Sequence, residues 1–229
     1  MLRLIFGVLL LFGGPVLAAD PGFVRAVEFP HAGPGAARGA LVWIHGTYGQ
    51  HETGPPPPPD FVAREAASGL DVWCFNRDRR DDPLPRGAEL LVRGIEALRA
   101  SGYRQVIVSG HSRGAWIALT ALARPGLADA VVAFSPAAHG TREARRAAAL
   151  ADWAALWAAA VDGAARVVLV QLAGDPWDPD PARRLATARA RLGGNVMAVF
   201  LPETPRGHGG VYEPGFDEAF GAAIAAFAR

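Results

Sequence analysis

The chain alternates short apolar runs with longer segments in which apolar residues recur at helical spacing. Six of the runs span five to seven residues and are rich in Val, Leu, Ile and Ala, which is typical of strands buried in a sheet. A further segment, Phe23–Phe29, alternates loosely and predicts an opening strand. The six predicted buried strands are Ala40–Ile44, Leu70–Asn76, Gln105–Ser109, Ala130–Phe134, Arg166–Leu172 and Asn195–Leu201.

Between these runs the pattern predicts helices. Gly87–Arg99 has the spacing of an amphipathic helix that covers a sheet. Asp60 and Asp180 each precede a helical segment and are expected to cap its N-terminus. The predicted helices are Phe61–Ala67, Gly87–Arg99, Ala115–Ala123, Thr141–Val161, Pro181–Leu192 and Glu213–Arg229. Strands that alternate with helices in a chain of 229 residues indicate a single α/β domain, with the bounds 20–229.

One junction between a strand and a helix carries candidate chemistry. The strand Gln105–Ser109 leads into the sequence GHSRG at positions 110–114, and a helix follows. A sharp turn between strand and helix strains the backbone of Ser112 and crowds its neighbours, which favours glycine on both sides. The turn exposes the hydroxyl group, and the helix N-terminus favours negative charge beside it. A G-x-S-x-G motif in this setting predicts that Ser112 is a nucleophile.

With this motif the chain resembles proteins of the α/β-hydrolase fold. The resemblance implies a mostly parallel central sheet flanked by helices. It also implies a serine, acid and histidine triad in that chain order, and an oxyanion hole built partly by an earlier loop. In that family the segment after the strand at 130–134 often grows into a lid. Here it has room for the helix Thr141–Val161 and little more, so we expect a minimal lid or none.

The resemblance places the triad acid in the loop after Arg166–Leu172. Asp175 comes first in this loop, in a D-P-x-x-P sequence that resembles the one often found around the acid. Asp178 is the alternative acid. Asp180 is assigned to the N-cap of the following helix, because Pro181 suits the first helical position.

The resemblance places the triad base in the loop after the last strand. His208 lies there between glycines. A lone histidine in a loop is usually a solvated side chain. The chain order Ser112, Asp175, His208 matches the family at all three positions, so we predict that His208 is the base.

An oxyanion hole is expected where the strand Ala40–Ile44 runs into His45-Gly46-Thr47. This resembles the HG loop of the family, which supplies one backbone N–H group, while the residue after the nucleophile supplies the other. The residues so implied are Thr47, with Gly46 as the alternative, and Arg113. Fixed donors are needed because the tetrahedral intermediate carries a charge that the ester does not.

Composition narrows the function classes. The formal net charge is +1, with 23 basic residues that are all Arg, and gives no reason to expect nucleic acid or an acidic surface as partner. Cys74 is the single cysteine; it has no partner for an internal disulfide, and core packing is its expected role. The His and Cys spacings give no metal motif, and an acyl-enzyme mechanism implies no cofactor.

Residues 1–19 have the pattern of a bacterial-type secretory signal. Arg3 gives a positive start, Leu4–Phe12 is a short apolar stretch, and a small-residue cleavage site ends at Ala18 or Ala19. The apolar stretch is shorter than the about 20 residues that a membrane-spanning helix needs. We therefore expect export to the periplasm or the outside of the cell, with no stable membrane insertion after cleavage.

Three further stretches have two interpretations each. The proline run Pro55–Pro59 is either a rigid connector or a wall of the site. The densely charged run 77–86 is typical of a solvated loop, although an Arg there could meet an acidic substrate. Trp153 and Trp157 either pack a helix against the sheet or line an acyl pocket.

Together these patterns predict a serine hydrolase that forms an acyl-enzyme on Ser112 with a small-molecule carboxylic ester or related acyl substrate. The choice of an ester follows how common esterases are in the fold, since no pocket residue identifies the substrate. Two other classes stay open: a non-catalytic binding protein on a hydrolase fold, and a serine peptidase or thioesterase.

Overall fold

The computed structural model describes residues 22–47, 56–78, 80–161, 165–178, 180–200 and 203–229. The segment 1–19 lies outside these residues, so the secretory signal stays a prediction. Within the described residues seven strands form one sheet. They are β1 (Phe23–Arg25), β2 (Gly39–Ile44), β3 (Leu70–Phe75), β4 (Val106–His111), β5 (Ala130–Phe134), β6 (Arg166–Gln171) and β7 (Val196–Phe200).

The helices follow the strands in alternation. They are α1 (Asp60–Ala67), α2 (Leu84–Ala100), α3 (Arg113–Thr120), α4 (Arg146–Ala159), α5 (Pro181–Leu192) and α6 (Ala222–Ala228). Short 3₁₀ turns lie at Ala121–Ala123, Glu143–Arg145, Gly193–Asn195 and Gly210–Tyr212, and a π turn at Asp217–Gly221 leads into α6.

The hydrophobic pattern predicts the bounds of the strands closely and the ends of the helices less closely. Each predicted buried strand is present, with ends that differ by two residues at most. The opening strand is shorter than predicted, because the Phe29 N–H group donates back to the Ala26 carbonyl and turns the chain. The last predicted helix, Glu213–Arg229, is reduced to α6 and the π turn before it.

The two predicted N-caps have different outcomes. Asp180 caps α5, since its side chain accepts a hydrogen bond from the Arg183 N–H group at 3.2 Å. Asp60 does not cap α1: Pro59 holds the cap position in an extended conformation, and Asp60 is the first helical residue. The carboxylate of Asp60 lies in the first turn, where the helix dipole favours negative charge.

The sheet has the mostly parallel arrangement that the resemblance implies. Its strand order is β1-β3-β2-β4-β5-β6-β7. Only the pairing of β1 with β3 is antiparallel among the described strands; the other five pairings are parallel. The carboxyl ends of the parallel strands therefore meet at one edge, which is where ligands bind in open α/β sheets.

Two hydrophobic cores lie on the two faces of this sheet. Successive residues of β2 lie on opposite faces of the sheet: Val42 and Ile44 enter one core, and Leu41 and Trp43 enter the other. Helices α2, α3, α4 and α5 cover the first face, and α1 and α6 cover the second. Helices on both faces explain why the strands are continuous apolar runs.

Candidate active site

Ser112 lies at the sharp turn between β4 and α3, with a backbone conformation that is rare for a residue with a side chain. Its φ is 55° and its ψ is −120°, which costs on the order of 1–3 kcal/mol. The turn is tied to the next strand, since the Ser112 N–H group donates to the Phe134 carbonyl at 2.9 Å. The Ser112 carbonyl in turn accepts from the Ala137 N–H group at 3.1 Å. These bonds hold the strained residue in place.

The glycines of the GHSRG sequence are required by close backbone approach. A Cβ atom on Gly110 would lie 2.6 Å from the carbonyl carbon of Gly114. A Cβ atom on Gly114 would overlap the carbonyl oxygens of Ile44 and His45. Helix α3 therefore packs directly against the end of β2, and this contact brings the nucleophile turn beside the loop after that strand.

His208 and Asp175 complete a line of hydrogen bonds to Ser112. The Nε2 atom of His208 lies 2.8 Å from the Ser112 Oγ, and its Nδ1 atom lies 3.0 Å from both carboxylate oxygens of Asp175. A carboxylate only accepts hydrogen bonds, so Nδ1 carries the proton and Nε2 accepts from the hydroxyl group. The Asp175 side chain is 1% exposed and that of His208 is 20% exposed. This arrangement can remove a proton from Ser112.

The alternative acid, Asp178, is engaged elsewhere. Its carboxylate pairs with the guanidinium of Arg184 at 2.8 Å and accepts from the Gln171 amide at 2.6 Å. Arg184 is buried, donates to the Pro136 carbonyl at 2.7 Å and stacks over the ring of Trp153 at 3.9 Å. Burial lowers the pKa of Arg184. Asp178 therefore joins the acid loop to α5 rather than to His208.

The predicted oxyanion residues lie on either side of Ser112. A Cβ atom on Gly46 would lie 3.3 Å from the Cβ of Ser112, so the loop after β2 passes directly over the turn. Thr47 and Arg113 are joined to each other, because the Arg113 Nε donates to the Thr47 Oγ1 at 3.0 Å. The Arg113 N–H group belongs to the first turn of α3, where backbone donors lack acceptors within the helix.

A buried arginine anchors this loop and was missed by the sequence reasoning. The charged run 77–86 was predicted to be a solvated loop, yet the Arg77 side chain is 0% exposed. Its Nη2 donates to the carbonyls of His45 at 2.8 Å and Gly46 at 3.3 Å. Asp82 pairs with both Arg77 at 3.4 Å and Arg113 at 3.2 Å. The prediction is wrong for Arg77, because the carbonyls that bind it lie about thirty residues away in sequence; Asp78, Arg80 and Arg86 of the same run are exposed.

His45 joins the loop after β2 to the segment after β3. Its Nδ1 donates to the Gly46 carbonyl at 2.5 Å, and its Nε2 accepts from the Arg77 N–H group at 3.1 Å. Burial, with the positive charge of Arg77 second, lowers the pKa of His45 to about 4. The neutral ring therefore serves as a hydrogen-bonded spacer between the two loops.

His111 holds the backbone of the loop that carries His208. Its Nε2 donates to the His208 carbonyl at 2.7 Å, and its ring lies edge-on to Tyr212 with centroids 5.2 Å apart. Burial lowers the pKa of His111 to about 4. No residue near His111 in sequence indicates its hydrogen bond to the His208 carbonyl.

A pocket of about 460 Å³ opens beside Ser112. Gly46, Thr47 and Arg113 line this pocket, as does the segment Ala137–Gly140. Trp177, which follows the acid, faces the His208 ring with centroids 5.3 Å apart. Pro56 also lines the pocket, so one end of the proline run contributes a wall; Pro55 lies outside the described residues.

Three other side chains singled out from the sequence, those of Trp153, Trp157 and Cys74, do not line the pocket. Trp153 and Trp157 are buried and stack edge-on at 5.6 Å, which is the packing role and not an acyl-pocket lining. Cys74 is half-buried, and burial raises the pKa of its thiol to about 12. His139 lines the pocket and pairs with Asp152 at 2.7 Å.

No group of three or more His, Cys, Asp and Glu side chains among the described residues is arranged to hold a metal ion. In the same part of the chain, no helix combines the length and apolar character needed to cross a bilayer.

The fold is that of solved esterases. Est1E from Butyrivibrio proteoclasticus matches with a TM-score of 0.61 at 15% identity, over 84% of this chain and 87% of that one. An acetyl xylan esterase from Paenibacillus sp. R4 matches with a TM-score of 0.59 at 15% identity, over 83% and 75%. Esterase 2 of Thermogutta terrifontis, phosphoramylated by tabun, gives 0.58 at 13%, over 89% and 86%.

No protein-family model and no curated protein sequence matches the chain. The structural matches, together with the seven-stranded, mostly parallel sheet between two layers of helices, show that the chain has the α/β-hydrolase fold.

Proposed function

We propose that the protein is a serine hydrolase of carboxylic esters, with Ser112 as nucleophile, His208 as general base and Asp175 as the triad acid. The observation that carries the proposal is the continuous hydrogen-bonded line from Asp175 through His208 to the strained Ser112. The pocket beside Ser112 gives a small-molecule substrate access to the hydroxyl group. The likeness to solved esterases supports an ester as the bond that is cleaved.

In the first half of the reaction, the Ser112 Oγ attacks the carbonyl carbon while its proton passes to the Nε2 of His208. The tetrahedral intermediate then collapses, the bond to the alcohol breaks, and the alcohol leaves with the proton from His208. In the second half, water attacks the acyl-enzyme, with His208 again as base. The carboxylic acid leaves and the Ser112 hydroxyl group is restored.

Asp175 acts through His208. It fixes the tautomer with the proton on Nδ1 and stabilises the positive ring that forms when Nε2 takes up the serine proton. Its side chain is almost fully buried, so water does not compete for its oxygens.

The backbone N–H groups of Thr47 and Arg113 are the proposed oxyanion donors, with that of Gly46 as the alternative for Thr47. Donors already in place stabilise the developing charge without reorganisation, and one donor is worth about 10²–10³ in turnover. A network of hydrogen bonds and ion pairs joins Arg77, Asp82 and Arg113. It is suited to hold the loop after β2 and the start of α3 at a fixed separation.

Turnover of p-nitrophenyl acetate and butyrate by the purified protein tests the proposal, with Ser112→Ala as the inactive variant. Ser109→Ala is the matched control, because Ser109 lies on β4 just before the turn that carries Ser112, is buried and has no hydrogen-bond partner for its hydroxyl among the described residues. We expect ester hydrolysis in the control and a loss on the order of 10⁴ or more in Ser112→Ala.

Two other results would contradict the proposal. Hydrolysis of aminoacyl-naphthylamides with no ester turnover would assign the site to a peptidase. A folded protein that hydrolyses neither substrate would favour a binding protein on a hydrolase fold.

A further inference from the structure

The pocket beside Ser112 presents cations to a ligand and no carboxylate. Among the described residues that line it are two arginines, Arg113 and Arg145, and three histidines, His111, His139 and His208; none is Asp or Glu. A ligand in this pocket therefore meets the two positively charged guanidinium groups of Arg113 and Arg145 at its wall, and no carboxylate.

The carboxylates nearest to these side chains are turned towards protein partners. Asp82 pairs with Arg113 at 3.2 Å, and Asp152 pairs with His139 at 2.7 Å while 63% of its side chain faces solvent. Asp175 lies beneath His208 with only 1% of its side chain exposed. None of the three lines the pocket.

Arg145 is exposed and, unlike Arg113, has no counter-ion among the described residues. Its Nη1 donates to the backbone carbonyl of His139 at 3.4 Å, which holds the side chain along the pocket. No Asp or Glu among the described residues forms an ion pair with it, whereas its neighbour Arg146 pairs with Glu143 at 3.9 Å. A guanidinium held at a pocket by one neutral acceptor keeps most of its donors available.

We propose that the preferred substrate is an ester that also carries a carboxylate group, which Arg145 binds while Ser112 attacks the ester carbonyl. This inference rests on the proposed function and deepens it. A guanidinium presents a planar fork of donors that matches a carboxylate. Salt screens a pair in a partly enclosed pocket less than it screens a pair on the open surface.

A pair of isosteric esters tests the inference: 4-acetoxybenzoate, which is an anion, and 4-acetoxybenzamide, which is neutral. In a second pair the charge lies on the acyl side of the ester. The p-nitrophenyl monoester of adipic acid is an anion, and the p-nitrophenyl ester of adipic acid monoamide is neutral. In at least one pair we expect the anionic ester to have the higher kcat/KM. Arg145→Gln should then reduce the ratio of anionic to neutral kcat/KM about fivefold, the size typical of a partly exposed ion pair.

Two variants serve as controls. Arg142→Gln removes the same charge from a residue three positions away that is exposed, as Arg145 is, but does not line the pocket, and it should keep the wild-type ratio. Arg145→Lys keeps the charge and should retain part of the preference.

Equal kcat/KM for both members of both pairs would overturn the inference and leave the esterase proposal standing. An equal drop in Arg142→Gln would also overturn it, because the preference would then come from net charge and not from contact with Arg145. Absence of hydrolysis for all these esters, and for p-nitrophenyl acetate, would instead overturn the proposed function.

Discussion

Two aspartates on one loop have different tasks because their hydrogen-bond partners differ. Asp175 accepts from the Nδ1 of His208 and from the Trp177 N–H group at 2.8 Å. Asp178 pairs with the buried guanidinium of Arg184, which also binds a backbone carbonyl. The first arrangement orients a base, and the second fixes the loop that carries the first aspartate.

Asp175→Asn and Asp178→Asn therefore fail in different ways. Asp175→Asn should fold but lose about 10⁴ in kcat, because an amide does not hold His208 in the required tautomer. Asp178→Asn should unfold more easily by about 3–5 kcal/mol, because it leaves the buried charge of Arg184 without a counter-ion.

Ester kinetics and urea denaturation of both variants measure these effects, with kcat corrected for the folded fraction. In folded Asp178→Asn we expect kcat within about tenfold of the wild type. A loss of 10⁴ in Asp178→Asn beside near-normal activity in Asp175→Asn would reverse the assignment of the acid.

At the scale of elements, the site depends on how two connections are joined. The loop after β2 and the segment between β3 and α2 meet through Arg77, whose guanidinium binds the carbonyls of His45 and Gly46. The same segment reaches Arg113 at the start of α3 through Asp82. One network thus spans both proposed sources of oxyanion donors.

Arg77→Met should lower kcat about 10²-fold with little change in KM, because a displaced donor weakens only the transition state. Arg77→Lys should restore part of kcat, since an ammonium can donate to one of the two carbonyls. Binding of an ester-derived trifluoromethyl ketone, which forms a charged adduct with serine, should weaken in parallel with kcat/KM.

A purely structural role for Arg77 would give a different pattern. Arg77→Met would then lose thermal stability, while kcat and affinity for the ketone in the folded fraction would match those of the wild type. Asp82→Asn, which keeps Arg77 in place, gives a second test at a less buried position.

At the scale of the molecule, the buried His45 and His111 and the partly buried His31 couple folding to pH. Burial lowers the pKa of His31, and lowers those of His45 and His111 to about 4. In the unfolded chain a histidine has a pKa of about 6.5. Between pH 6.5 and 4 the unfolded chain binds protons that the folded protein does not. Stability from these residues is therefore present above pH 6.5 and is lost as pH falls towards 4.

For His45 and His111 the free energy of unfolding should fall by up to about 1.4 kcal/mol per pH unit each in this window. His111→Gln keeps a donor for the His208 carbonyl and removes one titrating group, so it should reduce the slope. Urea denaturation at intervals between pH 7.5 and 5 measures it. An unchanged slope in His111→Gln would mean that folding does not lower the pKa of His111.

The sequence predicts the structure correctly where a local pattern of residues determines it. The six apolar runs predicted as buried strands, the glycines around Ser112 and the cap at Asp180 each depend on neighbours within a few residues, and the chain order singled out the histidine that lies 2.8 Å from the Ser112 Oγ. It failed for Arg77 and Asp60. The burial of Arg77 depends on carbonyls far away in sequence, and the conformation of Pro59 displaced Asp60 from the cap.

The choice between Asp175 and Asp178 also required the structure. Both follow the same strand, and only the position of Arg184 on α5 decides which carboxylate is occupied. Likewise, the residues near His111 in sequence do not predict its hydrogen bond to the His208 carbonyl across the sheet edge.

The most direct test of the central claim is to label the purified protein with a fluorophosphonate and to map the adduct by mass spectrometry, with Ser112→Ala and Ser109→Ala as paired variants. We expect rapid labelling confined to Ser112, retained in Ser109→Ala and absent in Ser112→Ala, because His208 and the oxyanion donors activate this hydroxyl group alone. A folded protein that takes up no label, or that is labelled equally in Ser112→Ala, would contradict an activated nucleophile at Ser112.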